Sequence, residues 1–597
     1  MKRIKMFGQQ QAATLAIFCG LLAALIILIS STTPTARTAV LANEAQGGGG
    51  TAVYLPLITV PQSFDLAITN IEIIQSTQTP TNNVPLVAQR HALVRVYAQT
   101  LVGTSPNNVV VTLEGTRGGT NLGTLSANPR PIPNNPNRAN LNSTVNFLLP
   151  ESWRTGNVQL TARINVQDAN PGNNVRQHTA SFGIVPQLRV VIVPINYTHQ
   201  GPTNPGFYPA QSVDYISNWI QRAFPVHNVQ ITMRTPHNFT GNLQGAASWI
   251  TLLNQMFALK TGDGYSPNSP VFYYGFVPIN NGSTQWFTSG IAGIGWVSPP
   301  NEAQRESVGL NLGQNDNTGI LAGHEFGHNM GRRHAPCGNP GGLDPGYPYT
   351  GGSIGQFGYD VGVNALRNPA NYRDVMSYCS PEWVSDYTHN ALYQDQVSKG
   401  NWPDQADTPS SQLLIRASLD QTGLVEMRPI YHLTTSGDTR PLSATMYQVR
   451  LLDEAGRTIA THPIALREAE EPGILVRSFN GVVPLPAEPV AAIQIVSLAG
   501  ESPHILAEQS LTTRSLAARA ETNLTETADS LHLTWHETDR PAIIRYTAND
   551  GATWTTLAVD HLGGALTVDK QWLDGENGRF EIILANGTNA NVLEVTR

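Results

Sequence analysis

The sequence predicts a multidomain chain in which one α/β (α+β) domain is flanked by β-sandwich domains. The central domain would hold a twisted, mostly parallel sheet and a histidine-bearing helix. Three observations predict this. At 597 residues the chain exceeds what one hydrophobic core organises. Short apolar strands separated by turn residues fill 64–185 and recur from 411 onward, the spacing of β-sandwiches. Between them, after Pro186, strands alternate with helical stretches, as in a sheet covered by helices.

Residues 1–42 read as a signal peptide or signal anchor. Met1 to Lys5 is basic, and an apolar run follows from about Ala12 to Ile29. Ala39 and Ala42 offer a cleavage site. Cys19 has apolar residues on both sides, which argues against lipid modification. The expected location is extracellular, with a membrane involved only if this segment is retained. Gly47 to Gly50 make 43–63 a flexible linker. The first sandwich, 64–185, is marked by Asp65–Ile74, His91–Tyr97, Asn108–Leu113, Ser143–Leu149 and Asn157–Val166. Asp168-Ala-Asn-Pro-Gly-Asn173-Asn174 resembles a loop of immunoglobulin-like adhesion modules. A structural calcium site could be built on Asp168, but a single carboxylate is thin, and a plain Asx-Pro-Gly turn is the better reading.

The central domain, 187–403, opens with Leu188–Ile195, a continuous apolar strand suited to the middle of a parallel sheet. A helix over Gln211–Phe224, a strand at Val229–Met233, a second helix over Leu243–Leu259 and strands at Val271–Val277, Gly290–Val297 and Val308–Leu312 follow. Then comes His324-Glu325-Phe-Gly-His328-Asn-Met-Gly331-Arg-Arg-His334. At 3.6 residues per turn, His324 and His328 share one helix face and can offer ring nitrogens to one ion. Glu325 sits beside the first ligand without joining it, as a general base should. Gly331 can take the left-handed conformation that ends a helix and brings His334 round as a third ligand. Three ligands leave a fourth position for water, which distinguishes a catalytic zinc from a structural one.

Asp374-Val-Met376-Ser-Tyr378 follows some forty residues later. With H-E-x-x-H-x-x-G-x-x-H and a methionine turn, the stretch from about Gln187 to Asn390 resembles the metzincin clan of zinc endopeptidases. The resemblance implies one catalytic Zn2+ held by His324, His328 and His334, with Met376 packed beneath them as a floor. It implies that Tyr378 donates to a tetrahedral oxyanion, as in the astacin-like and serralysin-like branches. Asn329 resembles the adamalysin-like branch instead, and Ala335 marks none, so no branch is assigned. The same likeness brings Cys337 and Cys379 together, and a disulfide there would clamp the third-ligand loop to the methionine turn. Gly290–Val297 would be the edge strand above the cleft, its glycines either admitting a peptide as an added strand or marking bulges.

The loop-rich stretch from Pro340 to Asn371 holds Asp344 and Asp360, neither needed as a ligand. Trp383 and Tyr387 suit packing at the base of the domain. A β-rich module over 411–508 and a fibronectin type III-like or related sandwich over 512–597 would space or tether the central domain. His532 and His536 alternate with strand residues and read as structural. The net charge of −7, from 36 basic and 43 acidic residues without blocks of one sign, gives no sign of nucleic-acid binding. Protein or peptide substrates are the expected partners. The rivals are an adhesion or glycan-binding surface protein with a vestigial metal site, and a metal-dependent hydrolase of another bond.

Overall fold

The computed structural model describes residues 63–597 except 200–209, 279–289, 407, 441, 443–444, 472–473, 512–521 and 587–591. The expected signal segment and cleavage site, Cys19 and all but the last residue of the expected linker lie outside the described residues. Among those described, the chain is mostly β, with several sheets and four α-helices: α1 (Ala210–Ala223), α2 (Ala246–Gly262), α3 (Asp316–Asn329) and α4 (Asp386–Lys399).

Leu188–Tyr197 lies inside the central sheet, between Val229–Met233 and Phe272–Val277. Glu306–Leu310 follows, all four running parallel, and Gly293–Gly295 closes the edge antiparallel. Both faces of Leu188–Tyr197 are covered, which is why its apolar run does not alternate. Leu188, Val190 and Ile192 face the core that holds Trp219 of α1 and Phe326 of α3. Val191, Val193 and Ile195 face the opposite core, which holds Trp249, Leu253 and Phe257 of α2.

The first sandwich has its own core, centred on Ile71, Val94, Leu113, Trp153 and Leu160 between sheets of three and five strands. Thr120–Ser126 and Val175–Gly183 complete the larger sheet, and their exposed polar faces hid them from an apolar pattern. Asp168 accepts from Asn170 N (3.2 Å) and from Leu66 N (2.8 Å), so its loop is an Asx turn tied to the first strand.

The two C-terminal modules depart from the spacer role. Leu414, Tyr431, Leu433, Ala469 and Val476 of one, and Ile543, Val559 and Ile583 of the other, enter the same core as α2 and the central sheet. Helix α2 is therefore apolar nearly all round, as a helix buried on every side must be. It starts at Ala246, three residues later than its apolar pattern suggests, because Asn242 holds a turn: Gly245 N donates to the Asn242 carbonyl (3.1 Å). Glu306 begins its strand two residues early for a related reason. Its buried carboxylate receives Lys260 Nζ (3.0 Å) and Arg467 from the neighbouring module, so a charged residue stands where an apolar one was expected. Burial works against that carboxylate, but the two cations outweigh it and hold it below its ordinary pKa.

Candidate metal centre

Helix α3 forms despite three glycines spaced four apart, each costing about 1 kcal/mol relative to alanine. Packing decides the matter. A Cβ on Gly319 would lie 2.4 Å from the Tyr215 carbonyl oxygen of α1, and one on Gly323 would lie 2.3 Å from the Trp219 ring. A Cβ on Gly327 would lie 2.3 Å from Met376 Sδ. One ridge of glycines thus lets α1 and the methionine turn approach the backbone of the helix that bears the histidines. Asn315 caps its start by accepting from Asn317 N.

At the other end Gly331 has φ +80°, Arg332 N donates to Gly327 O (2.9 Å) and Gly331 N to His328 O (2.8 Å). This is a Schellman stop, and it reverses the chain towards His334. His334 joins the following loop, with Asp344 N donating to its carbonyl (2.9 Å).

The three imidazoles converge. His324 Nδ1 lies 2.7 Å from Val375 O, His328 Nδ1 2.7 Å from Arg332 O, and His334 Nδ1 2.7 Å from Gly341 O. A carbonyl can only accept, so each Nδ1 carries the proton and each Nε2 is a bare lone pair. His328 Nε2 is 3.1 Å from His324 Nε2 and 3.2 Å from His334 Nε2. Lone pairs this close repel unless a cation lies among them. Tetrahedral ligands about 2.1 Å from one ion would stand about 3.4 Å apart, near the observed spacing. Burial, with the neighbouring imidazoles, lowers the His324 pKa to about 3 and that of His328 well below its ordinary value. Burial brings His334 to about 4. All three rings are therefore neutral near pH 7, the form that binds a metal ion. Among the described residues this is the one group of three or more His, Cys, Asp or Glu able to share an ion.

The other sequence-marked residues lie around it. Met376 is buried, its sulfur against Gly327 between the first two histidines along the helix. Tyr378 is partly exposed, its ring 4.9 Å from that of His334 and 5.8 Å from that of His324. Cys337 and Cys379 form a disulfide across 5.7 Å between Cα atoms. Beside it, Ala335 N donates to Met376 O (2.9 Å) and Tyr378 N to Cys337 O (3.0 Å), zipping the two segments together. Glu325 is buried under the edge strand. A Cβ on Gly293 would meet its carboxylate at 2.4 Å, and one on Gly295 at 3.2 Å. Those glycines make room for Glu325, a use that neither sequence reading of the strand anticipated. Val297, just beyond, donates its N–H to Glu468 O of the next module (2.8 Å).

Several residues the sequence reading named have supporting roles it did not anticipate. Asp374 is buried and accepts from Met376 N (2.8 Å) and Ser385 N (3.0 Å), holding the methionine turn in shape. Asn329 Nδ2 donates to Trp296 O (3.1 Å) and Glu306 O (2.9 Å), tying the end of α3 to the sheet edge, and Arg305 donates to Asn329 O. Asp360 pairs with Arg222 and Arg367, and Asp344 accepts from Tyr387 OH (3.0 Å), so both acids have structural work.

No family model and no curated protein matches the chain. Solved structures resemble it faintly. The CARDB domain of a Pyrococcus furiosus protein is 15% identical, with 21% of this chain and 98% of that one covered, at a TM-score of 0.15. A segment of two fibronectin type III domains from chicken tenascin is 12% identical, covering 32% and 95%, at 0.13. A β-glucuronidase from Parabacteroides merdae is 8% identical, covering 89% and 78%, at 0.14. At such TM-scores these likenesses carry nothing about the site.

Proposed function

We propose that this chain is an exported zinc-dependent endopeptidase of metzincin type. One observation carries the reading: three neutral imidazoles, each locked by a backbone carbonyl, bring their Nε2 lone pairs together, and the residue next to the first of them on the helix is a buried glutamate, Glu325. Zinc is the ion that best suits three histidines with a fourth position open. The chemistry such an ion supplies is polarisation of a carbonyl and acidification of a water to a pKa of about 7.

The chain's own residues would do the rest. Glu325 accepts the proton of the attacking water on its carboxylate and returns it to the leaving amine nitrogen. The Tyr378 hydroxyl, beside the rings of His324 and His334, donates to the oxyanion formed from the scissile carbonyl. Met376 and the disulfide hold the floor and the third-ligand loop in register. The disulfide also fits an oxidising compartment, in line with the basic and apolar start of the sequence.

The test is cleavage of a mixed peptide library by the purified chain. The wild type should cut and a chelator should stop it. Glu325→Ala should keep one zinc per chain while losing about 10²–10⁴-fold in rate. Undiminished cleavage by a zinc-loaded Glu325→Ala variant would sink the assignment. A wild type that binds zinc but hydrolyses only non-peptide bonds would sink it too.

A further inference from the structure

We propose that the first sandwich is a fixed part of the metal centre and not a removable prosegment, with Trp383 as the positioning residue that connects Ser76 of that sandwich to His324. The inference rests on the metal-binding reading of the three histidines, and needs no assumption about the reaction.

The path is continuous. Thr77–Gln78 of the sandwich pairs antiparallel with Phe357–Asp360 of the central domain, Thr77 opposite Gly358. The Ser76 carbonyl beside that pair accepts from Tyr359 N (2.8 Å) and from the Trp383 indole Nε1 (2.8 Å). A Cβ on Gly358 would sit 2.6 Å from that indole nitrogen, so a glycine is needed where the two units meet. Trp383 is 1% exposed and packs edge-on to Trp219 and under Arg367. Its carbonyl accepts from Val375 N (2.7 Å), and the Val375 carbonyl receives His324 Nδ1 (2.7 Å). The next peptide N–H, that of Met376, is held by Asp374. The peptides on both sides of Val375 are therefore fixed, and with them the plane of the His324 ring.

A second tie reaches the other end of α3. Buried Arg90 of the sandwich donates to the carbonyls of Gln221 (3.3 Å) and Arg222 (2.7 Å) at the end of α1. Arg222 in turn pairs with Asp316, the first residue of α3, at 2.6 Å. Partners that orient a ligating histidine are worth about 10–100-fold in metal affinity. Here such a partner chain begins in a different module.

The decisive measurement is affinity for Zn2+ and Co2+, by competition with a chelator, in the full chain carrying Trp383→Phe. A six-membered aromatic ring stays, while the donor to Ser76 and the rest of the indole's bulk are lost, and the thermal midpoint of the metal-free chain reports that lost packing. A 10–100-fold weaker affinity is expected, with an altered Co2+ absorption spectrum and a thermal midpoint of the metal-free chain within a few degrees of wild type. Unchanged affinity and spectrum would overturn the proposal. Should this variant not fold, a protease site inserted after Ile184, which is 85% exposed, allows the sandwich to be cut from the folded chain. Metal lost together with the released fragment supports the proposal, and metal held at wild-type affinity after its release overturns it. Peptide hydrolysis enters neither readout, so failure of the peptidase reading would be seen separately. A wild-type chain that takes up neither ion would overturn both.

Discussion

The sandwich before the central domain and the two modules after it are attached in physically different ways. The first keeps its own main core and meets the central domain through backbone pairing, the Ser76 carbonyl, the Arg90 guanidinium and one small apolar cluster of Ile74, Leu93 and Tyr359. The later modules pool their apolar side chains with α2 and the central sheet, and bury the Lys260–Glu306–Arg467 ion cluster at the seam. Docking of this mainly polar kind fixes geometry at a few points. Shared apolar burial contributes most of the stability, because each fully buried large side chain is worth about 1.5–3 kcal/mol. On the proposal above the first kind of joint tunes a site, whereas the second supplies core to the central domain.

Four perturbations sharpen this contrast, taken from the largest effect down. Ending the chain at Asp404 should leave α2 bare and give no soluble, cooperatively melting protein. A soluble product with a sharp thermal transition would mean that the shared core is dispensable. Glu306→Gln should cost about 3–5 kcal/mol in denaturant melts, since it leaves two buried cations without a carboxylate. A loss below about 1 kcal/mol would show that water compensates them. Replacing Cys337 and Cys379 by serine should cost about 2–4 kcal/mol, for a cross-link closing 42 residues. It should also weaken metal binding by releasing His334's loop from the methionine turn, and unchanged affinity would assign that joint to its hydrogen bonds alone.

The smallest effect is one of pH. His237 is buried at the seam with the last module, its Nε2 3.0 Å from Gln255 Oε1, and burial lowers its pKa from 6.5 to about 4. The unfolded chain binds the proton more readily, so this stabilisation is complete above about pH 6.5 and fades as pH falls towards 4. By pH 5 it amounts to about 2 kcal/mol lost. His237→Gln should flatten that part of the stability profile, and an unaltered profile would remove His237 from the account.

Much of the site was legible in the residues. The spacing of His324, His328 and His334, the helix stop at Gly331 and the neighbourhood of Cys337 and Cys379 are local or nearly local features, and the fold brings them together. The glycine ridge Gly319, Gly323 and Gly327 is equally plain in the sequence, but it reads there only as poor helix propensity. Its meaning comes from Trp219 and Met376, which arrive from elsewhere in the chain. Glu325 was marked by its position next to His324, whereas the room made for it by Gly293 and Gly295 could not be.

The sequence by itself determined the alternation of strands and helices, the ligand-bearing helix with its stop and the candidate ligand residues. These follow from periodicity and side-chain chemistry, which each residue carries wherever it lies. Only the tertiary structure decided which carbonyls orient the imidazoles, namely those of Val375, Arg332 and Gly341. It also decided that three modules share one core, and that Ser76 stands behind Trp383. Every residue has a carbonyl and most strands have an apolar face. Which of them meet is set by packing across hundreds of residues, and no local pattern records it.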